Sequence, residues 1–543
     1  MPVSLSTKNN INKEAWGESK LLTIKEASEW ASKYTGRKIT PSNISYLVQY
    51  GRVRKLSEDK VILIKMDELR EYYDSNYGRR EIQWKEKLGD DLNWNLSFDY
   101  LKESDTTKHV HRLHPYKGKF IPQLVEYFLD EHTDDFKKEV YFHPGDIVLD
   151  PFCGSGTTLV EANELGINAI GIDVSKFNSM IGNVKVGKYD FEDLQSTLNR
   201  ITELLRNFVN ESNISRFDNE LSVELASFNN KFFPSPEFKY MVANKEIDER
   251  SYASAKEEEF SRIYSNLIKK YNIEVTNPKT GKFLDIWYLK PVRAEIDFVY
   301  NLVKQIDNSV TRNAVMIVLS RTIRSCRATT HSDLATLIEP VTSSYYCTKH
   351  RKICRPLFSI LGWWERYSED TVSRLKEFDR IRTGTSHLCL TGNSMDMNII
   401  ESTRVMNDEF AKLLDKRKID GIFSSPPYVG MIDYHEQHSY AYDLFGLEKN
   451  SSLEIGRMSL GQGIEARSRY VYNIAGVLRN CRKYLKDDYD IFLVANDKFN
   501  LYPRIAEKAN MTIIEQFRRP VLNRTEKDKG AYSETIFHLK ERA

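Results

Sequence analysis

Two short tracts, far apart in the chain, constrain the fold more than anything else in it. Leu149-Asp150-Pro151-Phe152-Cys153-Gly154-Ser155-Gly156-Thr157-Thr158 and Ser424-Ser425-Pro426-Pro427-Tyr428 each follow a short aliphatic run. In the first, Gly154 and Gly156 give a strand-to-helix turn room to bring backbone amides against a ligand, and the helix that follows offers its positive end. In the second, two prolines stiffen a loop and leave its carbonyls without competing donors. Such loops belong at the carboxyl ends of neighbouring strands of one open α/β sheet, where these sheets bind ligands.

The surrounding pattern predicts a parallel sheet. Ile147 to Asp150 reads as a strand, Thr158 to Leu165 as a helix and Ala169 to Asp173 as a second strand, one βαβ unit. From about 185 to 385 helical segments such as Leu194 to Phe208 and Glu295 to Ile306 break the alternation. Strands resume at Leu388 to Leu390, Gly421 to Ser424, Ile491 to Ala495, Thr512 to Phe517 and Thr535 to Leu539. The expected plan is an α/β, Rossmann-like sheet whose halves, residues 81–184 and 386–543, are interrupted by a largely helical insertion at 185–385.

Residues 1–80 read as a separate module. Thr23 and Glu26 form a capping box ahead of a helix through Ala31, and Pro41 lies in the first turn of a second helix that stops at Gly51. Val61 to Ile64 predicts a wing strand and Met66 to Tyr73 a closing helix. This order resembles a winged helix-turn-helix of the excisionase or MerR-like kind, with Ser42, Asn43, Ser45, Tyr46, Gln49 and Arg52 on the recognition helix. A three-helix accessory domain fits the same pattern.

Composition narrows the partners. The 543 residues hold 79 Lys plus Arg against 77 Asp plus Glu, so a nucleic acid has to be met by local basic patches and not by overall charge. The richest patch lies in the insertion, where Arg321, Arg324, Arg327, Lys349, Arg351, Lys352 and Arg355 face only Asp333 and Glu339, interleaved with Tyr345, Tyr346 and His350. A solvated basic face is the plainer use of such a run. A smaller run, Arg518, Arg519, Arg524, Lys527 and Lys529, falls in the connection of the last two strands and suits a backbone contact. The stretch around Val315 to Leu319 is far short of a membrane span, and six scattered cysteines make no disulfide framework, so a soluble cytoplasmic protein is expected. The spacing of Cys347, His350 and Cys354, with Cys326 or His331 as a fourth, suits zinc; ordinary packing is the favoured reading and no metal is expected.

The chemistry follows from the two loops. Asp173, closing the second strand, is spaced from the first as a carboxylate that accepts ribose hydroxyls. The glycine loop departs from the dinucleotide pattern Gly-x-Gly-x-x-Gly. In the other loop, the Ser425 side chain and the Pro426 carbonyl are suited to accept the protons of an exocyclic amine, which would let its nitrogen become pyramidal and nucleophilic; a proline turn at a strand end with an ordinary packed tyrosine is the plainer alternative. Tyr428 offers a stacking face for a base swung out of the helix.

Together the tracts resemble motifs I and IV of the S-adenosylmethionine-dependent DNA amino-methyltransferases, the cytosine-N4/adenine-N6 family of restriction-modification systems. The resemblance implies that Asp150, Pro151, Phe152, Gly154, Ser155, Gly156, Thr157, Thr158 and Asp173 hold S-adenosylmethionine, and that Ser425, Pro426, Pro427 and Tyr428 are catalytic. Lys119-Phe120-Ile121-Pro122 resembles the family's segment ahead of motif I, which puts Phe120 near the methionine part of the cofactor. Leu390-Thr391-Gly392-Asn393-Ser394 resembles motif III and brings Asn393 and Ser394 towards the adenine ring, with Asn393 standing where many relatives carry Asp.

In this family the first position of motif IV is usually Ser in cytosine-N4 enzymes and Asp or Asn in adenine-N6 enzymes, so Ser425 points to cytosine N4, with adenine N6 as the alternative. The motif order resembles the α-type arrangement, in which the insertion recognises the target in double-stranded DNA. The chain holds no Pro-Cys dipeptide, so a cytosine-C5 enzyme is excluded and direct transfer without a covalent intermediate is expected. No convincing set of clustered acids with a lysine is found for a nuclease, so a cognate restriction endonuclease is expected on another polypeptide. An RNA base methyltransferase and a binding-only regulator are the rival readings.

Overall fold

The computed structural model describes residues 20–542 except 36–38, 50–51, 55, 59–60, 75–87, 89–91, 99–100, 102, 117, 279, 332–336 and 522–531. At the amino end β1 (Leu21–Thr23) and β2 (Leu56–Glu58) flank β3 (Val61–Lys65), both antiparallel to it. The helices Ile24–Thr35, Pro41–Gln49 and Met66–Tyr73 close a small core over them around Ala27, Ile44, Leu47, Ile64 and Leu69. The capping box forms: the Thr23 amide donates to Glu26 Oε2 at 2.8 Å, and the Glu26 amide to Thr23 Oγ1 at 3.3 Å. Gly51, the expected stop of the second helix, lies outside the described residues, as do the leader and the boundary at residue 80. The Tyr240 hydroxyl ties this module to the insertion through the Val53 carbonyl at 2.5 Å.

The main sheet begins with β4 (Ile147–Asp150) and β5 (Asn168–Asp173). The insertion carries a short antiparallel hairpin, β6 (Tyr345–Cys347) and β7 (Lys352–Cys354). The sheet then continues with β8 (His387–Thr391), β9 (Ile419–Ser424), β10 (Leu485–Ala495), β11 (Met511–Val521) and β12 (Tyr532–Glu541). Its spatial order is β11-β12-β10-β9-β4-β5-β8. The run from β10 to β8 is parallel, and β12 enters antiparallel between β10 and β11. Pro520 lies near the end of β11, a strand at the sheet edge, where proline is tolerated.

Both faces of the sheet are covered, which is why β4 and β9 read as unbroken buried runs. Ile147, Leu149, Ile170, Ile172, Ile422 and Ile491 pack on one side, under the helices Ile399–Met406, Asp408–Lys416, Ile464–Arg482 and Tyr502–Lys508. Val148, Ala169, Phe423 and Phe492 point to the other. That second core runs without a break into the insertion through Leu198, Val299, Val315 and Trp364. The insertion's helix Ser309–Ser325 is buried along most of its length, so the insertion shares the sheet's core instead of forming a detached lobe. No described helix is long and apolar enough to cross a membrane.

Candidate functional site

The two loops meet because β4 and β9 are neighbours, with Leu149 opposite Ile422. The glycine loop is pinned from behind: the Cys153 amide donates to the Ile172 carbonyl at 3.0 Å and the Gly156 amide to the Cys153 carbonyl at 2.9 Å. Gly154 and Gly156 have φ of +52° and +77°, and a Cβ on Gly156 would stand 2.8 Å from the Gly182 backbone. Both glycines are therefore required, one for its conformation and one also for closeness.

Asp173 holds the loop from the neighbouring strand. Its carboxylate accepts from the Gly154 amide at 2.9 Å, the Ser175 amide at 2.8 Å and Asn178 Nδ2 at 3.1 Å. Burial pushes its pKa up to about 7 against these hydrogen bonds. Asp150 is enclosed more completely and accepts from Ser424 Oγ at 2.5 Å, Thr158 Oγ1 at 2.6 Å and the Phe152 amide at 3.1 Å. Burial raises it to about 6, and its three partners oppose the rise.

In front of these groups opens a cleft of about 770 Å³, open solvent included. Phe120, Pro151, Phe152, Gly154, Ser155 and Thr157 line it. Asp173, Asn393, Ser394, Ser425 and Pro427 line it as well. Asp150, Gly156, Thr158, Pro426 and Tyr428 are not in its wall; the first three brace the glycine loop. Ser394 donates to the Pro151 carbonyl at 2.7 Å, and the Asn393 side chain is engaged locally with the Met395 amide and Asp396. The Phe120 ring meets Phe423 edge to face at 5.5 Å. Ser155 Oγ and Thr157 Oγ1 are buried with no hydrogen-bond partner, although both residues line the cleft. Hydroxyls left this way are costly unless a ligand takes them up, so the donor set fits a polar cofactor.

On the Ser425–Tyr428 loop, Ser425 donates its hydroxyl proton to the Val494 carbonyl at 3.2 Å. The Tyr428 hydroxyl donates to Glu534 Oε1 at 2.7 Å, and Glu534 is in turn paired with Arg519, whose Nε lies 3.0 Å away. This corrects the expected use of Arg519: it is buried in the terminal hairpin, reaching the Leu96 carbonyl, and does not face a DNA backbone. Arg524, Lys527 and Lys529 lie outside the described residues.

Sequence reasoning missed several cleft residues. Tyr116 stacks on Tyr434 at 5.9 Å, and both line the cleft with Glu454. Glu454 accepts the Tyr434 and His435 amides at 3.1 and 2.8 Å and contacts the His435 ring. Tyr116 sits in the His-rich tract just ahead of Phe120, a usable signal. Glu454 sits in an irregular segment where no local pattern marks it.

Comparison with known proteins decides the family. A model described as DNA methylase matches residues 9–181, and one described as an RMKL-like methyltransferase domain matches residues 141–244. Over 538 residues, 98% of this chain and 99% of the relative, the sequence is 45% identical to the Type II methyltransferase M.MjaII of Methanocaldococcus jannaschii. The chain belongs to the N4/N6 family of Type II DNA methyltransferases. This methyltransferase is also 30% identical to the Type II methyltransferase M.BsoBI of Geobacillus stearothermophilus, over 23% of each chain. It is 36% identical to a tRNA (guanine(10)-N2)-dimethyltransferase of Methanocaldococcus jannaschii over 14% of this chain and 21% of that relative.

The basic residues of the methyltransferase's insertion divide into two groups. Arg321 pairs with Asp370 at 2.5 Å and lies over the Tyr367 ring, Arg355 grips Asp218 with both terminal nitrogens, and Arg327 is buried against Tyr440. These three guanidinium groups are committed inside the fold, which narrows the expected DNA-facing set. Arg324 is half-buried, Arg351 donates to the Lys239 carbonyl, and Lys349 and Lys352 are exposed.

Proposed function

We propose that this methyltransferase transfers a methyl group from S-adenosylmethionine to the exocyclic N4 amine of a cytosine flipped out of duplex DNA, protecting host sites from a cognate restriction endonuclease carried on another polypeptide. One observation carries the reading: Ser425 and the glycine loop, with its two unpaired hydroxyls, line a single cleft. The donor, when bound, supplies a methyl on a cationic sulfonium, which an amine attacks without a protein nucleophile. Asp173 accepts ribose hydroxyls, Ser155 and Thr157 supply the polar contacts they lack, and Phe120 packs against the apolar part of the donor. Because the Ser425 proton is engaged by Val494, its oxygen is free to accept an amine proton, and the Pro426 carbonyl accepts the other. Tyr428, fixed at its hydroxyl by Glu534, holds a steady stacking face for the flipped base.

Target recognition falls to the helical insertion, with Arg324, Lys349, Arg351 and Lys352 as its DNA-facing charges. The amino-terminal module, a winged helix-turn-helix in this reading, adds a second contact through the helix Pro41–Gln49, on which Tyr46 is exposed. Such an enzyme works in the cytoplasm on the host's own DNA. Nucleoside mass spectrometry on DNA from a host expressing the protein tests the reading. N4-methylcytosine is expected. N6-methyladenine without N4-methylcytosine would overturn the choice of base, and methylation confined to RNA would overturn the choice of nucleic acid.

A further inference from the structure

The hairpin formed by β6 and β7 gathers four metal-ligating side chains that the methyl-transfer site does not use. Cys347 ends β6, Cys354 ends β7, His350 stands in the turn between them, and His331 approaches from the preceding segment. In the register Tyr345 faces Cys354 and Cys347 faces Lys352, so the two cysteines lie on the same face of the ribbon. One ligand atom from each of the four residues falls within 4.8 Å of all the others.

We propose that His331, Cys347, His350 and Cys354 bind one structural zinc ion. A tetrahedron with Zn–S of about 2.3 Å and Zn–N of about 2.0–2.1 Å separates a sulfur from a nitrogen by about 3.6 Å. Here Cys347 Sγ stands 3.8 Å from His331 Nδ1 and Cys354 Sγ stands 3.5 Å from His350 Nδ1. The two imidazoles meet edge on, with ring centres 4.4 Å apart. Cys326, the other cysteine considered for a fourth ligand, lies in the main core and is not in the set.

The site also answers a packing problem. One face of the hairpin, Ile353 with Tyr346, packs into the main core, whereas on the other face Tyr345, Cys347 and Cys354, with Val341 against them, form a separate apolar cluster too small to order that side by burial alone. Outside the cluster the hairpin is held to the helix Ile214–Phe232 by the Asn229 side chain, which bonds both the Ile353 amide and its carbonyl at 3.0 and 2.9 Å. Four protein ligands leave no open position for substrate, so the ion is structural. It fixes the turn that presents Lys349, Arg351 and Lys352; that this turn meets DNA rests on the proposed function, whereas the metal does not. The Tyr345 hydroxyl, 2.8 Å from His331 Nδ1, is the competitor the ion displaces.

Metal analysis of the full chain, purified without chelators, dialysed against zinc and freed of loose ion, tests the site directly. About one zinc per chain is expected, falling below a tenth in Cys347→Ser and Cys354→Ser and unchanged in Cys326→Ser and Tyr345→Phe. Less than about half an equivalent in the wild-type chain, or retention in both cysteine variants, overturns the proposal. Should those variants fail to fold, cobalt substitution of the wild-type chain decides. Intense tetrahedral visible bands with thiolate charge transfer support the site, and their absence overturns it.

Discussion

Ser424 and Asp150, the last residues of neighbouring strands on opposite sides of the insertion, share a buried hydrogen bond of 2.5 Å. It couples the strand that carries the glycine loop to the strand that carries the Ser425–Tyr428 loop. Ser424→Ala is expected to lower the free energy of unfolding by about 1.5–3 kcal/mol, the range for a hydrogen bond to a charged group. Urea unfolding measures this, and a change below about 0.5 kcal/mol would show that the bond contributes little.

Ser425→Ala is expected to slow methyl transfer about a hundredfold, the cost of one hydrogen bond aimed at the reacting group, while calorimetric donor affinity holds within about twofold. Tyr428→Phe keeps the ring and loses only the Glu534 bond, so its loss is smaller than that of Tyr428→Ala. Equal rates in the two Tyr428 variants would remove the stacking role.

The unpaired hydroxyls give a signature that separates binding from folding. Ser155→Ala and Thr157→Val remove buried groups that have no partner in the free protein, so its melting temperature is expected to hold or rise. Donor affinity is expected to fall about tenfold for each, a loss of about 1.4 kcal/mol. Unchanged calorimetric affinity would show that neither hydroxyl faces the donor.

Asp173 sets a pH dependence. Burial raises its pKa to about 7, so the free protein holds a proton there that the unfolded chain has already released. Its contribution to stability is therefore present below the unfolded value and is lost as pH rises through about 7. The ionised carboxylate is the form that accepts hydroxyls, so donor affinity is expected to rise between about pH 6 and pH 8, and Asp173→Asn is expected to flatten that rise. Calorimetric titrations across this range check it, and a wild-type profile as flat as the variant's would remove Asp173 from donor binding.

Deleting residues 1–80 is expected to leave donor affinity intact and to weaken binding to duplex DNA. Fluorescence anisotropy on labelled DNA reads the difference. Equal affinity with and without the module would make it structural, in keeping with the Tyr240 to Val53 bond that docks it.

What the sequence by itself determined is local. Aliphatic runs ending in Gly154-Ser155-Gly156 and Pro426-Pro427 marked two strand ends and the loops beyond them, because glycine and proline limit the backbone whatever surrounds them. The capping box at Thr23 and Glu26 was legible for the same reason. The same two tracts placed β4 beside β9, as the pairing of Leu149 with Ile422 bears out. Tertiary structure decided which other distant residues meet: Tyr428 on Glu534 and Arg519, Glu454 in the cleft wall, and His331 among the cysteines of the hairpin. It also decided which arginines are committed inside the fold, since Arg321 and Arg355 look in sequence like the exposed Lys349 and Lys352 until Asp370 and Asp218 arrive from other helices. Periodicity and charge report that a side chain will be buried or wet; the partner it finds depends on how the helices and strands pack.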